Sequence, residues 1–99
     1  MNIEATFCKK GIMIYISHLD IVRLFQRAVR RAELPVRLSQ GYTPHYKISF
    51  AKALKLGIES DSEKIVFMLN RWIDMDEFRN RINLQLPEGI RILECKKRF

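Results

Sequence analysis

His18 and His45 are the only histidines in this sequence. They are the side chains whose ordinary pKa allows proton exchange near neutral pH. A histidine pair can split acid and base roles, for instance in cleaving RNA through its own 2′-hydroxyl, and each ring can also contact phosphate. Each has a plainer use. His18 stands where a helix would start, and His45 can order the loop around it. With Asp20 they match no familiar ligand spacing, so no metal site is expected. The two cysteines, Cys8 and Cys95, form no CxxC and are too few for a disulfide framework. Both are expected as reduced thiols on strands, too far apart to pair. There is no glycine-rich phosphate loop, and no cofactor is expected.

The arginines carry a second chemistry. Between Ile21 and Ile58 lie eight basic residues (Arg23, Arg27, Arg30, Arg31, Arg37, Lys47, Lys52 and Lys55) and one acid, Glu33. The rest of the chain balances ten bases against ten acids, so the whole net charge of +7 sits in this block. Charge gathered this way suits a polyanion. Guanidinium forks match phosphate oxygens bidentately. The alternative is a solvated helix face, but Asp20 can offset only one of the four helix arginines. Tyr42, Tyr46 and Phe50 lie in or beside the following loop. Aromatic rings next to cations suit unstacked bases, although Phe50 also fits a core position. Gly41 is expected to supply a positive φ, and Pro44 to stiffen the loop.

Positioning these groups requires a framework, and the hydrophobic pattern supplies one. Ile3, Ala5 and Phe7 alternate with polar partners, as in a half-buried strand. Ile12 to Ile16 reads as a further short extended run. Ser17 is placed as an N-cap, with Asp20 as capping-box acid. The helix should run from His18 to about Glu33, with Ile21, Leu24, Phe25, Ala28, Val29 and Ala32 on one face and Arg23, Arg27 and Arg30 on the other. Leu34-Pro35 ends it. Val36 to Ser39 is extended, Gln40 to Tyr46 a loop, Lys47 to Leu54 a strand, Gly57 to Glu63 a polar turn and Lys64 to Asn70 a strand. Asp74 or Asp76 opens a second helix with Met75, Phe78, Ile82 and Leu86 inward, stopped by Pro87-Glu88-Gly89. Ile90 to Lys96 is the last strand, with Ile90, Ile92 and Leu93 inward. Trp72, between strand and helix, is expected to pack.

The order is β-α-β-β-α-β. That is the α+β, ferredoxin-like split βαβ plan: an antiparallel sheet in the order four-one-three-two with both helices on one face, plus a possible extra short strand at 12–16. Ninety-nine residues make one domain, 1–99, and 47% apolar content can fill its core. No run is long enough for a membrane helix. Met1-Asn2-Ile3-Glu4 lacks the charged lead and apolar stretch of a secretory signal, so a cytoplasmic location is expected.

Four blocks resemble a known family: Tyr15-Ile16-Ser17-His18-Leu19-Asp20, Arg27-Ala28-Val29-Arg30-Arg31-Ala32, the run from Ser39 to Phe50, and Leu56-Gly57-Ile58-Glu59-Ser60. The chain is similar to the radical-SAM-linked bacterial domain of unknown function, which is encoded beside, or fused to, a cobalamin-binding radical SAM protein. Family members usually carry proline after the loop histidine, where this chain has Tyr46. They are usually longer, so this is either a short version or the N-terminal part of the family domain. In layout alone the chain also resembles the ferredoxin-like repeat-associated RNA-binding proteins of CRISPR systems. The first resemblance implies radical chemistry in a partner, since the three closely spaced cysteines that such chemistry needs are not in this chain.

These observations lead to an expected RNA-binding module that presents RNA, tRNA or rRNA, to a radical SAM enzyme. Arg23, Arg27, Arg30, Arg31, Arg37 and Lys47 would hold phosphates, and Tyr42, His45 and Tyr46 would touch bases or sugar. The alternative is a protein-interaction subunit that docks on the radical SAM enzyme without nucleic acid. The third is a metal-independent endoribonuclease using His18 and His45.

Overall fold

The computed structural model describes residues 1–98. It contains β1 (Asn2–Lys9), α1 (His18–Arg31), β2 (Ile48–Phe50), β3 (Ser60–Met68), α2 (Met75–Asn83) and β4 (Ile90–Arg98). The strands form one antiparallel sheet in the order β2-β3-β1-β4. This is the ferredoxin-like arrangement, with the expected strand neighbours.

Alternation along the strands decides which face is covered. Ile3, Ala5 and Phe7 of β1, Ile65 and Phe67 of β3, and Ile90 and Ile92 of β4 form one core with Ile21, Phe25, Ala28 and Val29 of α1 and Phe78 and Ile82 of α2. Phe67 meets Phe25 at 6.3 Å and Phe78 at 4.9 Å between ring centroids, so both helices lie on one side of the sheet. Phe7, Phe25, Phe67 and Phe78 are fully buried, each contributing roughly 1.5–3 kcal/mol.

Both helices begin on the side chains that their sequences propose. Ser17 Oγ accepts the Asp20 N–H at 3.2 Å, and Asp74 accepts the Glu77 N–H at 3.1 Å. The reciprocal half of the capping box is not made, because the Asp20 carboxylate turns to Arg23 instead. α1 ends at Arg31, and Glu33 follows at φ 53°, a left-handed helix stop built without glycine.

Several expectations need correction. Residues 11–15 form a 3-10 helix, Gly11–Tyr15, and not an extra strand. Gly11 turns the chain at φ 62°, Met13 alone points inward, and Ile12 and Tyr15, three residues apart, share the outer side. β2 is only three residues long: Ala51 still donates to the Lys64 carbonyl at 3.0 Å, and the chain then leaves the sheet. β3 starts at Ser60, inside the stretch expected as a turn, since its polar residues pair with the end of β1 through a bulge. α2 stops at Asn83, whose side chain hydrogen-bonds both backbone groups of Ile92, so Leu86 lies beyond the helix. Leu93 is exposed: the register shift opposite Thr6 and Phe7 places it outward. Trp72 is also exposed, at 62%, with the Lys97 ammonium 5.2 Å above its ring. The two thiols are free. Cys95 pairs across β1 with Ala5, while Cys8 pairs with Arg91.

Candidate nucleic-acid interface

α1 and the loop after it are joined by one side chain. Gln26 donates from Nε2 to the Tyr46 carbonyl at 2.8 Å, and its Oε1 accepts the Tyr46 N–H at 2.7 Å. At the other side of the loop, Ser39 Oγ accepts the His45 N–H at 3.1 Å and lies 3.2 Å from His45 Nδ1. Backbone bonds from Ser39 N to His45 O and from Lys47 N to Arg37 O pair the two limbs. Gly41, at φ 136°, turns the tip, and the bond before Pro44 is trans. The loop is therefore braced at its base, with Tyr42 fully exposed at its tip.

This bracing encloses a cleft of about 450 Å³ between α1 and the loop, lined by Gln26, Arg27, Arg30, Leu38, Pro44, His45 and Tyr46. Its walls are mostly apolar, and its charges are two arginines. A second cleft of about 390 Å³, lined by Arg37, Leu38, Gln40, Lys47 and Asn70, meets the first at Leu38. On the other side, Arg27 and Arg31 border a third cleft of about 510 Å³ that reaches the end of α2 at Leu84 to Pro87. No acidic side chain lines any of the three. Arg27, Arg30, Arg31, Arg37, His45, Tyr46 and Lys47 thus form one continuous border.

Two expected members stand apart. Arg23 is on the same helix face but pairs with Asp20 at 3.4 Å; both are exposed, so the pair restrains it weakly. Tyr42 touches none of the clefts. Arg37 spends part of its fork on the fold, donating from Nε to the Leu69 carbonyl at 3.0 Å.

The histidines are not brought together. His18 opens α1, whereas His45 faces Gln26, Arg27 and Arg30. At 1.5 Å rise per residue that is a separation of roughly 12–18 Å along the helix. His18 Nδ1 accepts the Leu54 N–H at 3.1 Å, which leaves the ring proton on Nε2. Its ring meets the edge of Phe50 at 5.2 Å. It therefore anchors the chain that follows β2. Phe50 itself packs against Phe7 and Phe25.

The open sheet face offers a contrast. Asn2, Glu4 and Thr6 of β1 share it with Ser49, Lys64, Val66, Met68, Glu94, Lys96 and Arg98. Glu4 is paired with Lys96 at 3.5 Å and Arg98 at 3.7 Å, and Thr6 accepts from Lys64 at 2.6 Å. None of these residues is aromatic, whereas sheet-based RNA modules stack bases on aromatic rings of this face. Charge imbalance and aromatic groups both collect on the α1 and loop side.

The sequence missed Gln26. Its signal is a polar residue next to the arginine stripe, but nothing local announces that the amide faces a loop twenty residues away. Among the described residues no cluster of three His, Cys, Asp or Glu side chains is placed to hold a metal ion, and no helix is long and apolar enough to cross a membrane. Among curated proteins, none matches this sequence. A family model does match, over residues 2–98, and the chain belongs to that family, described as uncharacterized proteins conserved in bacteria (DUF2344).

Proposed function

We propose that the chain is an RNA-binding accessory module whose contact surface is the α1 and loop side. The observation that carries this is the pair of clefts meeting at Leu38, bordered by Arg27, Arg30, Arg37 and Lys47 with no acid in either lining. The arginines and the lysine take phosphates. Apolar walls at Leu38, Pro44 and Tyr46 take an unstacked base, which favours looped or single-stranded RNA over duplex. By the sequence resemblance, the bound RNA, tRNA or rRNA, is presented to a partner radical SAM enzyme that modifies it.

A docking role has its own supporting observation. Ile12, Tyr15, Leu19, Leu56 and Ile58 are each more than half exposed. They cluster at one end, where the Gly57 N–H donates to the Ile14 carbonyl at 2.6 Å and His18 holds Leu54. Such a patch suits a protein partner, and it leaves the basic border free. The two surfaces serve one function if the partner enzyme sits on the apolar end while RNA lies on the basic side. The nuclease reading draws no support from two histidines set so far apart, His18 at the start of α1 and His45 in the loop beside Gln26, Arg27 and Arg30. Fluorescence anisotropy with labelled single-stranded and duplex RNA at low salt tests the proposal. Absence of binding, together with tight association with a radical SAM protein, would decide for the docking subunit alone.

A further inference from the structure

The sheet breaks its own pattern at one end. On the helix-covered face, β1 presents Ile3, Ala5, Phe7 and then Lys9, and β3 presents Phe67, Ile65 and then Glu63. Lys9 is 1% exposed and Glu63 is 8% exposed. Two ionisable groups thus occupy positions that the strand alternation assigns to apolar side chains. Buried charges are costly unless paired and hydrogen-bonded. The Lys9 ammonium has three donors and makes one hydrogen bond, to the Lys55 carbonyl at 2.9 Å. The Glu63 carboxylate accepts no hydrogen bond, and no cation lies within 4 Å of it, among the described residues; no side-chain oxygen sealed from solvent lacks a partner, so its oxygens stay hydrated through the cavity that the residue lines.

The two groups line a cavity of about 190 Å³ between the end of the sheet and the segment after β2. Lys52, Lys55, Glu59 and Ser60 complete its polar wall, and Ile58 supplies an apolar one. The cavity shares no lining residue with the basic clefts. A bulge in β3 opposite Phe7 and Lys9 sets the spacing, and bulges commonly re-aim side chains beside sites. Three lysines and two carboxylates leave a small positive excess, so a multiply charged anion would meet the carboxylates as well as the lysines.

We propose that this cavity binds a compact zwitterion, a free amino acid of small side chain. The ligand's carboxylate takes the open donors of Lys9, and its ammonium takes the open oxygens of Glu63. Ile58 is the one apolar residue of the lining, so the cavity suits glycine, alanine or serine over an aromatic amino acid, whose ring would have to lie against lysines and carboxylates.

Calorimetric and NMR titration of the intact protein with glycine, alanine, serine and phenylalanine tests this, with acetate, methylammonium and inorganic phosphate as controls that carry charge of one sign only. The three small amino acids are expected to bind and to shift the Lys9 and Glu63 resonances. Phenylalanine, acetate and methylammonium should bind at least about tenfold more weakly. Lys9→Met and Glu63→Gln should each weaken glycine binding by roughly ten- to a hundredfold, the loss of one charge-assisted hydrogen bond. If Lys9→Met does not fold, Glu63→Gln and the ligand series on the parent protein decide. Phosphate or acetate binding as tightly as glycine would overturn the zwitterion in favour of a plain anion site. No response to any small amino acid at millimolar concentration would also overturn it, leaving Lys9 as an anchor for the Lys55 carbonyl only.

Discussion

Gln26 and Tyr46 hold each other through a matched pair of hydrogen bonds, 2.7 and 2.8 Å, across the cleft between α1 and its following loop. One side-chain amide satisfies both backbone groups of a half-buried residue. This is how the rigid helix sets the position of a loop that has little secondary structure of its own. Gln26→Ala leaves both Tyr46 groups unpaired and should destabilise the fold by about 1–3 kcal/mol, as measured by urea unfolding. In RNA binding it should lower affinity equally at all salt concentrations, because no phosphate contact is removed.

Ser17→Ala tests the helix start. The Ser17 oxygen accepts the Asp20 N–H, and no second acceptor replaces it. The expected loss is about 1 kcal/mol. An unchanged unfolding midpoint would mean that solvent serves that N–H equally well.

His18→Ala should act on the segment that follows β2 and not on RNA. It removes the acceptor of the Leu54 N–H and the ring against Phe50. Faster amide hydrogen exchange at Leu54 is expected, with RNA affinity within a few fold of the parent. His18→Asn, which keeps an acceptor near the Nδ1 position, should restore protection in part. RNA cleavage by the parent protein without added metal, lost in His18→Ala, would overturn this structural role.

The fold was legible because its signals are periodic. Alternation at Ile3, Ala5 and Phe7 and helical spacing from Ile21 to Ala32 each report a buried face directly. The misreadings fall where a run is apolar without a period, as at Ile12 to Ile16, or where a single long-range bond ends an element, as Asn83 does to α2. At the basic surface, the arginine stripe was visible because helical geometry places Arg23, Arg27 and Arg30 together. That Arg37 and Lys47 would join it across Leu38 depends on the pairing of two loop limbs, which no local spacing encodes. The separation of the two histidines was invisible for the same reason.

Cys95 offers a chemical check on the sheet. Burial against α2 outweighs the nearby Arg79 guanidinium, and Asp76 and Glu94 add to the effect, so the thiol is pushed from 9.0 up to about 11. At any pH below 9 its thiolate population should be about a hundredfold lower than that of a free cysteine, and the thiolate is the reactive species. Alkylation by iodoacetamide at pH 8 should therefore be slow in the folded protein and rise sharply in urea. Fast alkylation of Cys95 in the native state would show that β4 opens in this region.

Salt separates phosphate contacts from base contacts on the proposed RNA surface. For single strands, the log–log slope of affinity against salt is roughly −0.7 per phosphate contact, so about four contacts give a slope near −3. Changing Arg27 and Arg30 together to Gln should flatten it by roughly 1 to 1.5 units, alike across RNA sequences. Tyr46→Ala should instead weaken binding by roughly 1–3 kcal/mol with the slope preserved, if a base stacks in the cleft. Tyr42 is the cleaner probe, being fully exposed and without a contact in the fold. Tyr42→Ala should leave stability within about 0.5 kcal/mol of the parent, so any loss of affinity reports contact with RNA directly. If Tyr42→Ala weakens binding while Tyr46→Ala does not, the base sits at the exposed tip and the cleft holds only backbone. If the double arginine variant keeps the full slope, the phosphate track lies elsewhere on the molecule.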